Sequence, residues 1–242
     1  MNGEGRYARQ EMLPGMGSEG QRKLAQSCVG IMGIGGLGSP AAYYLAGAGV
    51  GKLVLADPQV PEITNLNRQI LHWEEDVGIV PKAASAAWKL RRFNPGTEIE
   101  AHCVEVTKEN IAWMFREADI ILDCLDSLPP RFVLNEHAMR TSTPFVHAAV
   151  EGLHGQVTVI EPGRTPCLRC LFPRVPEHDR SFPILGPAAG VFGCLQAAEA
   201  IKMIAGLGEP LRSKLLVGDL EHNLWETIEV RPAEGCPACR RD

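Results

Sequence analysis

Aromatic residues are scarce in this chain, with three Tyr, seven Phe and four Trp among 242 residues. A β-sandwich with an aromatic-rich core is therefore a poor fit, and 25 Gly with 18 Pro point instead to many tight turns in an α/β architecture. There is no tract of basic residues, and the net charge of −5 gives no broad electrostatic footprint for nucleic acid. No uninterrupted apolar run reaches the ~18–20 residues of a membrane span. The longest candidate, Gly190 to Gly206, is broken by Gln196, Glu199 and Lys202. The opening MNGEGRYARQEML lacks the apolar core of a secretion signal, so a cytoplasmic protein that binds no membrane is expected.

What is present is a globular composition, 45% hydrophobic and 22% charged. At roughly 100–200 residues per domain, the length suits one large domain. The apolar run Cys28 to Gly33 has the look of a buried parallel strand, followed by a small-residue helix over GIGGLGSPAAYYLAGAGV. A second buried strand, KLVLAD, ends at Asp57 and completes a βαβ unit. A helix over 82–93, stopped by Asn94-Pro95-Gly96, precedes strands near Glu98 to Cys103, in ADIILDCLD and in PFVHAAV, with a helix over 131–141. Beyond residue 150 the segments GQVTVIEP, KLLVGDL and LWETIEV alternate as antiparallel strands do, around one strong helix from Val191 to Ala205. The expectation is one domain over 1–242. Its half over 1–150 is a Rossmann-like, mostly parallel nucleotide-binding sheet, and 151–242 extends that sheet with antiparallel strands.

Gly33, Gly35 and Gly38 fit G-x-G-x-x-G after a strand and before a helix, where glycine lets phosphate approach the backbone at a helix N-terminus. Asp57 lies 24 positions after Gly33, the place of an acid that accepts from a ribose hydroxyl. That motif alone does not separate NAD from ATP. The stretch Thr64-Asn65-Leu66-Asn67-Arg68-Gln69, then Lys82, does: a planar guanidinium fork and an ammonium suit a triphosphate better than a dinucleotide. Asp126, at the end of the strand in ILDCLD, falls at the carboxyl edge of the sheet and could hold Mg²⁺ with the phosphates.

Eight cysteines include the pairs Cys167-x-x-Cys170 and Cys236-x-x-Cys239, four thiolates suited to a closed structural Zn²⁺ site. A redox C-x-x-C would need another helix context. Cys28, Cys103 and Cys124 fall in expected strands and read as buried, inert thiols. Cys194 reads as packing at a helix start. The seven histidines (His72, His102, His137, His147, His154, His178 and His222) show no metal-ligand spacing and are expected at the surface or in hydrogen-bonded core positions.

Taken together, RYARQ, GIGGLGSPAAYYLAGAGVGKLVLAD, TNLNRQ, VPK, DCLDS with Arg131 following, PCLRCLFP, GVFGCLQAAEAIK and CPAC resemble the ubiquitin-activating-like adenylyltransferases of sulfur-carrier pathways, the ThiF/MoeB/HesA type. The resemblance runs along nearly the whole chain. It implies Mg-ATP-dependent adenylation of the C-terminal Gly-Gly carboxylate of a small ubiquitin-like carrier, with release of pyrophosphate. It places Gly36 in the phosphate turn, Asp57 on the ribose, and Asn65, Arg68 and Lys82 on the phosphates. Asp126 falls on Mg²⁺, with Ser127 beside it where relatives carry Asn. Arg9 would reach the nucleotide of a second subunit, which implies a homodimer, and the four paired cysteines would hold zinc. Many relatives also carry a transfer cysteine in the loop after the first C-x-x-C. Here HDRSFPILGPAAGVFG has none, and Ser181 or Phe182 stands about there, so adenylation without an enzyme thioester is expected. Thiamine synthesis, molybdenum or tungsten cofactor synthesis and other sulfur metabolism all stay open. A non-catalytic binder and an NAD-dependent oxidoreductase are the alternatives.

Overall fold

The computed structural model describes residues 5–173 and 182–239. Its helices are α1 (Ala8–Glu11), α2 (Gly17–Gln26), α3 (Gly38–Ala48), α4 (Lys82–Phe93), α5 (Ile111–Met114), α6 (Leu128–Thr141), α7 (Leu168–Leu171) and α8 (Gly186–Ala205). The strands are β1 (Cys28–Met32), β2 (Lys52–Ala56), β3 (Glu98–His102), β4 (Ile120–Asp123), β5 (Phe145–Glu151), β6 (His154–Ile160), β7 (Lys214–Asp219) and β8 (Leu224–Glu229). All eight strands form one sheet in the order β3-β2-β1-β4-β5-β6-β7-β8. The pairings from β3 to β5 are parallel, and those from β5 to β8 antiparallel.

Residues of β1, β2 and β4 are buried on both sheet faces, which is why these segments read as continuous apolar runs rather than alternating ones. One face is covered by α2, α3, α4 and α8, with Ala41, Ala42, Leu45 and Ala46 of α3 wholly buried. The other packs against α5, α6 and α7 through Phe115, Ile121, Phe132 and Phe145. Chain order reverses beside β1: β2 lies on one side and β4 on the other. Ligands of open α/β sheets bind at such a switch point, outside the carboxyl ends of the strands.

Several boundaries differ from expectation. The fourth strand ends at Asp123, so Asp126 sits in the β4–α6 loop and not at the strand end. The last long helix begins at Gly186, because Leu185 is extended and Pro187 occupies its first turn. Cys194 consequently lies well inside α8 rather than at its start. Cys28 and Cys124 are buried, but Cys103 is exposed, just past the end of β3. Helix α8 is long and apolar enough by length and composition to cross a membrane. Here it is a core helix, whose buried Gln196 amide donates to Asp123 O and Val146 O at 2.8 and 3.0 Å.

Candidate active site

The glycine turn connects β1 to α3. Gly33 has φ +90, and a Cβ there would stand 2.7 Å from Cys124 O. A Cβ on Gly38 would stand 2.0 Å from Gly33 O. These two positions require glycine for turn and packing, and Gly33, Gly35 and Gly36 line the cleft itself. The Ile34 peptide between them is held at both ends. Its N–H donates to Asp57 Oδ2 at 2.7 Å, and its carbonyl lies 2.8 Å from His72 Nε2. Burial pushes the His72 pKa down, so a neutral ring donates from Nε2. The other Asp57 oxygen accepts from Gln59 N–H at 2.8 Å. His72 belongs to the hydrogen-bonded core, as expected for these histidines, but its clamp on the turn had no sequence signal.

The cleft at the switch point has a volume of about 1100 Å³, with a polar side chamber of about 550 Å³. Gln59, Arg68, Gln69, Lys82 and Asp126 line both. The structure thus brings Arg68, Lys82 and Asp126 together with Gly35, Gly36 and Asp57. Lys82, the first residue of α4, is 3% exposed, and its ammonium donates to Gln59 Oε1 at 2.7 Å. Burial pushes its pKa down, opposed by the charges of Asp57 and Asp126. Arg68 is braced by Thr64 O at 2.9 Å and Asn67 Oδ1 at 3.0 Å. Asn65 Oδ1 accepts from Glu62 N–H at 3.1 Å and fixes the turn that presents Arg68. Thr64 and Asn67 therefore support the site from behind, and Leu66 does not line the cleft. Ser127 lines it as the N-cap of α6. Arg9 is exposed on α1 and does not line the cleft of its own chain.

Gln69 is 5% exposed, and its Oε1 is buried without a hydrogen-bond partner among the described residues. Such an acceptor at the wall of a ligand cleft suits a bound donor such as a hydroxyl. Gln59 is a cleft residue that sequence reasoning did not single out, and Arg131, named only as the residue following DCLDS, lines the cleft as well. Arg131 donates to Leu125 O and its Nε stands 3.6 Å from Asp123 Oδ1, so it ties down the loop that carries Asp126.

On the α6–α7 face, the four paired cysteines converge. Their sulfurs are 3.9 Å apart for Cys167–Cys170, 3.7 Å for Cys167–Cys236 and 3.4 Å for Cys170–Cys239. All four lie within 4.8 Å of one another. A tetrahedron with Zn–S of about 2.3 Å has edges of about 3.8 Å, so this cage fits zinc. Histidine spacing gave no warning of one further grouping, in which the fold brings exposed His154 beside Asp219 and Glu221. His178 and Ser181 lie outside the described residues.

The chain is 41% identical over 235 residues to the vegetative HesA protein of Trichormus variabilis, covering 97% of this chain and 88% of that one. It is 40% identical over 238 residues to the sulfur carrier protein ThiS adenylyltransferase of Escherichia coli, covering 97% and 94%. It is 40% identical over 239 residues to the SAMP-activating enzyme E1 of Haloferax volcanii, covering 97% and 88%. Among solved structures, E. coli MccB with succinimide superposes with a TM-score of 0.88 at 24% identity, over 100% of this chain and 75% of that one, a likeness of fold. The ThiF family model matches residues 7–238, and the chain belongs to the ThiF family.

Proposed function

We propose that this protein is an Mg-ATP-dependent adenylyltransferase that activates the C-terminal Gly-Gly carboxylate of a small ubiquitin-like sulfur carrier and releases pyrophosphate. One observation carries the reading: the glycine turn, Asp57, Arg68, Lys82 and Asp126 share a single cleft at the switch point of a ThiF-family sheet. The named activity of the E. coli relative, adenylylation of ThiS, supports it.

The chemistry suits these groups. A carboxylate must approach the α-phosphorus of a polyanion, and the two repel. Arg68 and Lys82 offset that repulsion and stabilise the charge that builds on the departing pyrophosphate. Lys82 acts from a buried position, where its field is screened less than at the surface. No general base is required, because a carboxyl group is already ionised at neutral pH. Asp57 and the unpartnered Gln69 Oε1 offer acceptors to the nucleoside hydroxyls. Asp126, exposed in the cleft, is the residue to hold Mg²⁺, and one carboxylate suffices for a hard cation that shares its ligands with phosphates. When bound, Mg²⁺ neutralises phosphate charge.

Cys167, Cys170, Cys236 and Cys239 are proposed to hold a structural zinc that fastens the C-terminal turn to α7. Arg9, unused by its own cleft, is proposed to serve a second subunit in a homodimer. The whole chain, 1–242, is proposed to act as one adenylation domain. It works without a transfer cysteine and in the cytoplasm.

The test is pyrophosphate exchange into ATP with each Gly-Gly-terminated carrier of the same cell. Carrier-dependent exchange, lost in Arg68→Ala and Asp126→Ala, is the expected result. ATP binding without exchange for any carrier would overturn the reading in favour of a non-catalytic binder.

A further inference from the structure

A buried chain of polar groups runs behind the cleft, and the nucleotide chemistry does not use it. Asp123, the last residue of β4, is wholly buried, and its Oδ2 lies 2.7 Å from Nδ1 of the equally buried His147 on β5. Next along the chain, His147 Nε2 faces Gln156 Nε2 at 3.5 Å. Gln156 is directly opposite Ala149 in the β5–β6 ladder, so it shares a sheet face with His147 two residues away. Gln156 lines the cleft, whereas Asp123 and His147 do not. The Phe172 ring packs edge-on against the imidazole with centroids 5.6 Å apart, and itself lines the cleft. It screens the pair from solvent.

The hydrogen-bond polarity of this chain is fixed from its buried end. Burial pushes the Asp123 carboxyl up, but Arg131 and the His147 hydrogen bond outweigh it and hold it below the usual range. Burial likewise keeps His147 neutral, against the pull of Asp123. An ionised carboxylate only accepts, so the single imidazole proton resides on Nδ1 and Nε2 presents a lone pair. Among the described residues, the group that meets that lone pair is the amide NH₂ of Gln156, at 3.5 Å. A lone pair at His147 Nε2 favours the Gln156 rotamer with Nε2 inward, which turns Oε1 away from His147. A free glutamine could flip and offer the cleft either a donor or an acceptor; this one offers an acceptor.

The substrate dimension of the site then follows from the sheet. β1, which delivers the glycine turn, and β6, which carries Gln156, are three places apart, or about 14 Å at ~4.8 Å per strand. An extended peptide rises about 3.3 Å per residue, so a tail with its carboxylate at the nucleotide would pass Gln156 within its last few residues. Glycine residues there have no side chain to recognise; their backbone N–H and C=O are what a wall can read.

We propose that Gln156, oriented through His147 and Asp123, accepts a backbone N–H of the extended C-terminal tail of the protein substrate and so positions that tail in the cleft. Asp123 and His147 are positioning residues in this assignment, and Gln156 touches substrate. The inference rests on the adenylation reading above and names the part of the cleft that recognises the tail.

A backbone-ester scan tests it. Carriers are assembled with each of the last few tail amides replaced in turn by an ester, which removes one N–H without adding bulk. Their exchange rates are measured with the wild-type dimer or monomer as it exists in solution and with Gln156→Met, which keeps side-chain volume. One ester position should lower wild-type kcat/KM for the carrier about three- to tenfold, the worth of one neutral hydrogen bond. Gln156→Met should show a similar loss with the all-amide carrier, no further loss at that position, and an unchanged KM for ATP. Losses that multiply, or an all-amide carrier handled equally well by both enzymes, would overturn the assignment. A wild-type scan with no sensitive position overturns it even if the variant fails to fold. No carrier-dependent exchange in the wild type brings down the adenylation reading itself, and this inference with it.

Discussion

Asp57 and Ile34 are joined across the ends of β2 and β1 by a 2.7 Å hydrogen bond from the Ile34 N–H to the Asp57 carboxylate. The acid that sequence reasoning assigned to a ribose thus also shapes the turn that would cradle the phosphates. Both its oxygens already accept backbone bonds, from Ile34 and Gln59. Asp57→Asn replaces one acceptor with a donor and sets it against a backbone N–H. The expected outcome is a loss of about 1–3 kcal/mol in urea unfolding together with a raised KM for ATP. A variant with wild-type stability and impaired ATP binding would show that Asp57 serves the nucleotide alone.

Lys82 should give ATP binding an alkaline limb that begins below the ordinary lysine range. Its proton is held less tightly in the fold than in the unfolded chain, because burial lowers its pKa below the ordinary lysine value. The sign for stability is then opposite to that for binding. Between the folded and unfolded pKa values the unfolded chain binds more protons, so the Lys82 contribution to stability improves as pH rises. ATP affinity falls over the same interval as the ammonium is lost. Lys82→Met should abolish that limb, and should slow exchange by about 10²–10³ at neutral pH through loss of transition-state charge stabilisation. Calorimetric titration of ATP against pH in both proteins checks this.

Metal analysis should find one zinc per chain, bound by the 3.4–3.9 Å cage of sulfurs. Cys236→Ser should lose that zinc and lower Tm, because binding to the folded ligand set is itself folding free energy. Exchange activity measured well below the lowered Tm should survive, since none of the four cysteines lines the nucleotide cleft. Loss of exchange at full folding would make the metal part of the chemistry.

The parallel half of the fold was legible because its central strands β1, β2 and β4 are buried on both faces and α4 ends at a strong signal. Asn94-Pro95-Gly96 stops α4 at Phe93, where the structure also ends it. The eight-strand mixed sheet agrees with the expected class. Legibility failed where tertiary packing overrides local pattern. The start of α8 is set by the extended Leu185 that precedes it, and short α5 and α7 have too few residues to show a period. In the site, the residues that meet ligand chemistry carried motif signals, whereas their supports did not. His72 and Gln59 act through partners 38 and 23 positions away, and only the folded sheet brings them together.

The remaining cysteines bear on whether a covalent carrier–enzyme intermediate forms. Burial pushes the Cys28 thiol up to about 12 and the Cys124 thiol well above its ordinary value, and it raises Cys194 as well. A thiolate, not a thiol, is the nucleophile, so these three are poor ones at neutral pH. Cys103 is exposed, but it lies past β3, outside the residues that line the cleft. The expected outcome is that ATP and carrier give an acyl-adenylate and no thiol-sensitive adduct on non-reducing gels. Cys103→Ser should retain full exchange activity, while iodoacetamide should label Cys103 faster than Cys28, Cys124 or Cys194. A carrier adduct that persists without reductant, disappears with thiol and is lost in one cysteine variant would sink adenylation-only chemistry and identify the transfer residue.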